Sequence, residues 1–256
     1  MTILASAAQV LRCFDTECTE LTVSALVSKL AMPKSNASRL LRAMRDVGLL
    51  ETVGESKRFR PGRLLLGLAR SYRMSSTLIE RASTVMAAVC SACGHTGYVS
   101  LRDGLEVTAV TDHPGTNALR VVSNIGRRLP AFASATGRSL LARLEDDAVR
   151  ALYPAPLDPP SPRSPHDMDD LLARLAEIRR EGFAMSNDEA TRGVDAVAVA
   201  VGDPETGEEV SLCVVFPAAT VDAAERIAIA RALCDGAAEI AAITSDPHFR
   251  PRAKAA

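Results

Sequence analysis

Along the first third of the chain, apolar residues recur at helical spacing and break off at recognisable stops. Ala7, Val10, Leu11 and Phe14 share one face of a helix predicted over 6–15, with Ser6 as its N-cap. Leu26, Val27 and Leu30 mark a second helix beginning at Thr22, a good capping residue. Pro33 disfavours helix in the residue before it, so this helix should end near Ala31 and Met32. Pro33 itself suits the first turn of a third helix, where its missing N–H costs nothing, and Gly48 supplies a left-handed stop after Val47. With Ala37 at the centre of the buried side, Pro33, Leu40, Leu41 and Met44 fall within roughly 60° of it. Ser35, Arg39, Arg42 and Asp46 fall opposite, flanked by Asn36 and Ser38, with Lys34 beside them. A short helix, a tight turn and a helix of this length make a helix-turn-helix. Residues 49–53 and 58–60 then read as a small hairpin bent at Gly54, with Lys57, Arg58 and Arg60 on its far side. A basic hairpin directly after such a helix is a wing.

Beyond the wing, residues 64–94 read as helix, broken near Ser75 and Ser76, and the apolar start (Leu64, Leu65, Leu66, Leu68) calls for a covering partner. It can be met by a twin across a two-fold axis or within the same chain. From residue 97 onward strand and helix patterns alternate. Residues 97–112 form a hairpin about Asp103 and Gly104, and 119–126 read as a short strand. Helices follow at Ser134 or Thr136 and near Asp146. Residues 154–165 hold six prolines in twelve and must be a loop. A capped helix ends at Gly182, two β-rich runs flank a Pro/Gly turn near 204–207, and a last helix runs from Thr220 or Asp222 to about Ile243. This order predicts an α+β protein, with helices on an antiparallel sheet. The division expected is 1–63 for the winged helix-turn-helix, 64–80 for a linker and dimerisation helix, and 81–256 for the second domain.

Composition changes this picture in one respect. The 256 residues carry a net charge of −1, but 1–73 hold 12 Lys and Arg against 6 acidic residues, while the remainder holds 18 against 25. A basic segment of +6 beside an acidic one of −7 points to nucleic acid as the partner of the first. Tryptophan is absent and aromatics are few, which argues against a stacking surface for single strands. The first residues carry no basic group before Arg12 and only a short apolar run, so no secretory signal is expected. No run of about 18 apolar residues could span a bilayer. Six scattered cysteines suit a reducing cytoplasm.

Candidate chemistry concentrates on the third helix. Arginine can bond guanine O6 and N7 in bidentate fashion, and asparagine can do the same to adenine. Ser35, Asn36, Ser38, Arg39 and Arg42 are therefore expected to reach base edges and adjacent phosphates of a duplex operator. Lys34 should lie close to the backbone, and Lys57, Arg58 and Arg60 on the flanking phosphates. Cys90 and Cys93, with His95 close by, could belong to a zinc or redox site, although no second ligand pair follows; core packing is the competing reading. Arg127 and Arg128, ahead of Pro130, could touch an anionic ligand or DNA, or form a solvated hinge. No nucleophile, phosphate-cradling or metalloprotease motif is present, so neither an enzyme nor a cofactor is expected.

The helix-turn-helix "LTVSALVSKLAMPKSNASRLLRAMRDVGLL", the wing "SKRFRPGRLLLGLA" and the later segments "NIGRRLPAFASATGRSLLA", "EGFAMSNDEATRGVDAVAVAV" and "LCVVFPA" resemble the IclR family of bacterial transcriptional regulators over about residues 5–243. The resemblance implies a winged helix-turn-helix, a dimerising linker and a GAF-like α/β effector domain, in a homodimer or tetramer whose operator binding answers to a small organic acid or aromatic metabolite. It places the effector site on Ala135 and Thr136, where free N–H groups at a helix start can receive a carboxylate. Leu119 and Val121 would form apolar wall, with Ser186, Ala196, Cys213 and Val215 completing the site. Ser186 stands where members binding small acids tend to have Asp, Ala196 where they often carry Cys, and Cys213 and Val215 in place of two serines. These departures remove polar groups and suggest a larger or more apolar ligand.

Overall fold

The computed structural model describes residues 2–15, 18–122 and 125–249, in two compact units, Met1–Ser75 and Ser76–Ala256. The first contains α1 (Ile3–Arg12), β1 (Leu21–Thr22), α2 (Val23–Leu30), α3 (Lys34–Asp46), β2 (Leu50–Thr52), β3 (Arg58–Pro61) and α4 (Arg63–Ser75). Helix α1 starts earlier than its apolar pattern suggests. Thr2 is the cap, accepting from the N–H of Ala5 at 3.3 Å, and Ser6 sits inside the helix with its hydroxyl bonded back to the carbonyl of Thr2. Thr22 caps α2 as expected, accepting from the N–H of Ala25 at 3.1 Å. Pro33 sits one position before the first residue of α3, so it serves as that helix's cap residue rather than lying in its first turn. Gly48, at φ +81°, turns the chain from α3 into the wing. Strand β3 lies between β1 and β2, so the wing is a three-stranded sheet rather than a hairpin.

The second unit begins at Ser76, which caps α5 (Thr77–Cys93). It continues through β4 (Thr96–Asp103), β5 (Glu106–His113), β6 (Arg128–Pro130), α6 (Ala135–Leu141), α7 (Asp146–Leu152), α8 (Met168–Glu181), β7 (Ala184–Asn187), β8 (Val194–Asp203), β9 (Glu208–Pro217) and α9 (Ala223–Thr244). All six strands are antiparallel, in the order β6-β5-β4-β9-β8-β7. The sheet is buried on both sides, which explains why β8 and β9 read as nearly continuous apolar runs. Val197, Val199, Val201, Val210, Leu212 and Val214 pack against α5 and α9. Ala198 and Cys213, alternating with them, face the layer of α6 and α8.

The strand expected over 119–126 is not formed by residues 119–122 or 125–126, while 123–124 lie outside the described residues. Just ahead of it the chain is bound to the end of α5, where the N–H of Asn117 donates to the carbonyl of Gly94 at 3.0 Å, and at its far end the N–H of Gly126 donates to the carbonyl of Ala109 in β5 at 3.1 Å. Gly115 approaches Gly94 so closely that a Cβ would lie 2.1 Å from its carbonyl oxygen. The edge strand after β5 is β6, just beyond this segment.

Two features fix α6. Gly137 lets residue 131 run against the helix, since a Cβ there would lie 2.1 Å from the carbonyl oxygen of Ala131. Arg138 is buried and ion-paired with Glu189 after β7; it also donates to the carbonyls of Phe132 at 3.1 Å and Met185 at 2.6 Å. Burial pulls the Arg138 guanidinium down from its ordinary range, and the Glu189 carboxylate opposes that pull. A buried pair broken on one side leaves an uncompensated charge. Glu189→Ala should therefore destabilise the second unit by about 3–5 kcal/mol, read as a lower urea midpoint for that unit's unfolding.

Candidate functional site

Helix α3 divides as its spacing predicts. Ala37, Leu40, Leu41 and Met44 are buried against Val10, Leu26, Leu50 and Phe59. Lys34, Ser35, Asn36, Arg39 and Arg42 are exposed, and Ser38 is half-buried. Among the described residues neither Lys34, Arg39 nor Arg42 meets a carboxylate, whereas Arg45 at the far end is tied to Asp46 at 2.7 Å. On the wing, Phe59 points inward, so Arg58 and Arg60 on either side of it point outward. Lys57 is exposed at the turn. Arg58, however, donates to Glu20 at 3.1 Å and Arg60 to Glu51 at 2.7 Å. The wing's cations are thus partly answered from within the unit, by carboxylates that sequence spacing did not bring beside them.

In the second unit, seven of the eight positions named from the resemblance line one recess of about 690 Å³, its mouth included: Val121, Ala135, Thr136, Ser186, Ala196, Cys213 and Val215. Strand register explains how distant residues meet. Ser186 pairs with Ala196 and Ala196 with Val215 across three neighbouring strands, and Cys213 pairs with Tyr98 one row along. Leu119 is the exception; it is 63% exposed and lies outside the lining. Val121, two positions on, is the member of this segment that lines the recess.

The recess also gathers Tyr98, Ser100, Val107, Ala109, Leu129, Ser134, Thr191 and Val194, which sequence reading passed over, and Arg127, which it left undecided. A register shift between Val99 and Ser100 carries β5 across, so that Ala109 pairs with Ser100 at the recess wall. The hydroxyl of Ser134 accepts from the N–H of Gly137 at 3.0 Å, while the N–H groups of Ala135 and Thr136 at the start of α6 have no acceptor among the described residues. Burial pushes the Cys213 thiol up to about 11, so it enters the wall as a neutral, weakly polar group. Arg127 is half-buried, and its Nη2 donates to Oγ1 of Thr191 at 3.1 Å.

Cys90 and Cys93 lie at the end of α5. Cys90 is packed in the sheet core, and burial pushes its thiol up to about 12; burial raises Cys93 as well. The His95 ring is buried and turned to other partners, its Nε2 3.0 Å from Glu225 and its Nδ1 3.3 Å from Asn117. No group of three or more potential metal ligands occurs among the described residues, nor is any helix there long and apolar enough to cross a membrane.

Comparison with known proteins bears on both sites. Residues 71–242 match the family described as "Bacterial transcriptional regulator IclR C-terminal", and residues 4–54 match the "IclR helix-turn-helix domain". The HTH-type transcriptional regulator XynR of Escherichia coli is 27% identical over 220 residues, covering 86% of this chain and 87% of that protein. The Pca regulon regulatory protein of Pseudomonas putida is 25% identical over 205 residues, covering 79% and 70%. In fold, the chain is similar to an IclR regulator from Silicibacter sp. TM1040 (TM-score 0.87, 24% identity, 97% of this chain and 100% of that one). It is also similar to an IclR homologue from Microbacterium hydrocarbonoxydans complexed with 4-hydroxybenzoate (TM-score 0.75, 24% identity, 93% and 97%). The two family matches together span both units, and the chain belongs to the IclR family of bacterial transcriptional regulators, a DNA-binding regulator rather than an enzyme.

Proposed function

We propose that the protein is a ligand-responsive regulator in which a small organic acid with an apolar, ring-sized body occupies the recess of the second unit and alters the grip of the first on an operator. The observation that carries this reading is the recess itself. Its walls are mainly aliphatic with Tyr98 beside them, and a few hydroxyls and the free N–H groups of Ala135 and Thr136 are available to the ligand's oxygen atoms. The 4-hydroxybenzoate held by a structural neighbour is a small acid with a ring-sized apolar body. Ser186, Ala196, Cys213 and Val215 make the site too apolar to favour a two- or three-carbon acid. Cys90 and Cys93 lend less support to metal or redox sensing, because a reactive thiol needs a lowered pKa and access, and Cys90 has neither.

On the DNA side, Ser35, Asn36, Ser38, Arg39 and Arg42 read bases and nearby phosphates in the major groove, Lys34 lies by the backbone, and Lys57, Arg58 and Arg60 hold the flank. Two copies pair through α4, which buries none of its residues within the chain and exposes Leu64, Leu68 and Tyr72 along one side at i, i+4 and i+8. Such a pair, or a tetramer built from it, would read a two-fold symmetric operator in the cytoplasm.

Three measurements test these assignments. Arg39→Ala should weaken binding to a duplex selected from a random pool by about 1–3 kcal/mol and relax preference at one base pair. Lys57→Ala should weaken all duplexes alike and lower the salt slope by about one; equal losses for Arg39→Ala on selected and random DNA would contradict the division of roles. Leu68→Glu should shift the protein to monomer in analytical ultracentrifugation, whereas an unchanged oligomer would remove α4 from the interface. In calorimetry, aromatic acids should bind more tightly than glyoxylate or pyruvate, and the reverse order would overturn the apolar reading of the site.

A further inference from the structure

Arg127 stands apart from the other residues of the recess. Of the lining residues, it is the one with a charged side chain. Several partly buried arginines elsewhere in the unit meet carboxylates: Arg128 meets Glu106 at 3.4 Å, Arg143 meets Asp246 at 2.9 Å, and Arg226 meets Asp195 at 2.6 Å; Arg102, which bonds the carbonyl of Gly104 at 3.0 Å, does not, but it lies outside the recess. Arg127 has only the neutral hydroxyl of Thr191, at 3.1 Å, and the remaining donors of its fork find no acceptor among the described residues. A half-buried guanidinium whose donors are mostly unmet, in a recess with otherwise neutral walls, is a strong charge-assisted donor for an anion that enters.

Its position adds to the argument. Arg127 follows the segment that carries Val121, and Thr191 belongs to the turn between β7 and β8, so their hydrogen bond joins two sides of the same recess. That turn is itself fixed. Asp188, at φ +59°, accepts from the N–H of Gly193, and its own N–H donates to Asp195 at 2.9 Å. Thr191 is therefore a firm neutral perch, from which the planar fork can swing to a carboxylate and bind it in bidentate fashion.

We infer that Arg127 selects the acidic group of the effector: on binding, its guanidinium exchanges Thr191 for the ligand's carboxylate and turns that end of the ligand toward the β7–β8 turn, with the apolar body against Tyr98, Val107, Leu129 and Val215. This rests on reading the recess as the effector site, and it adds which residue recognises the charge.

The test uses the full-length protein and calorimetry with benzoate, 4-hydroxybenzoate and 4-hydroxyphenylacetate, each beside its carboxamide. The wild-type protein should bind at least one acid and prefer it to the amide by tenfold or more. Arg127→Gln should weaken that acid by about 10- to 100-fold and change the amide by less than about threefold, so the preference collapses. Arg127→Lys, which keeps the charge but not the fork, should fall between. Thr191→Val, which removes the perch and leaves the cation, should bind the acid within about threefold of wild type. An acid held equally well by wild type and Arg127→Gln overturns the inference while leaving the recess as the site. So does a loss in Thr191→Val as large as that in Arg127→Gln, because the bridge and not the charge would then matter. If no acid of the panel binds the wild-type protein, the reading of the recess as an acid site fails, and the inference with it.

Discussion

The burial of one side of α3 decides what the first unit can do. Ala37, Leu40, Leu41 and Met44 fill a core with Val10, Leu26, Leu50 and Phe59, and each large side chain so buried contributes on the order of 1.5–3 kcal/mol. Rolling the helix to bring Arg39 and Arg42 inward would sacrifice those contacts and strand two guanidinium groups away from water. The helix therefore has one stable orientation, and the arginines face solvent as its consequence. Because no carboxylate of the described residues answers them, their charge is left for a partner. The wing differs: Glu20 and Glu51 hold Arg58 and Arg60 in place, so their contribution to DNA carries the cost of exchanging one ion pair for another.

In the second unit the analogous constraint is a sheet covered on both faces. Alternate residues of β8 and β9 belong to different layers, and the recess opens where small side chains (Ala196, Ser186, Cys213) come up on the α6 side of adjacent strands. Larger residues at those positions would fill the space. The same stretch depends on α6 staying where Arg138 and Glu189 hold it, so the pair that stabilises the layer also shapes the ligand's surroundings. Stability and recognition here share their residues.

Much of this was legible in the sequence because it is local. Thr22, Pro33, Gly48, Ser134 and Gly182 act through the residues next to them, and the helix boundaries they predict hold to within one residue. What failed to show depends on contacts far along the chain. Strand β1 is two residues long and exists because β3 pairs with it; β7 is four residues squeezed between a helix stop and a turn. Thr2 caps α1 although the apolar repeat begins later, since capping needs no hydrophobic residue beside it. Residues 119–122 carry a strand-like pattern but pair with no strand, and Leu119 is exposed outside the recess while Val121 lines it. Arg127 could not be told from a solvated hinge, because its distinction lies in having Thr191, 64 positions away, for a neighbour and no acid.

The central claim is that the exposed side of α3 is the surface that meets DNA. Arginine-specific modification by phenylglyoxal, read by mass spectrometry with and without a duplex recovered from a random pool, tests it directly. The account predicts that Arg39 and Arg42 react in the free protein and become protected in the complex. If both react equally whether or not the duplex is bound, or resist modification in the free protein, the account is contradicted.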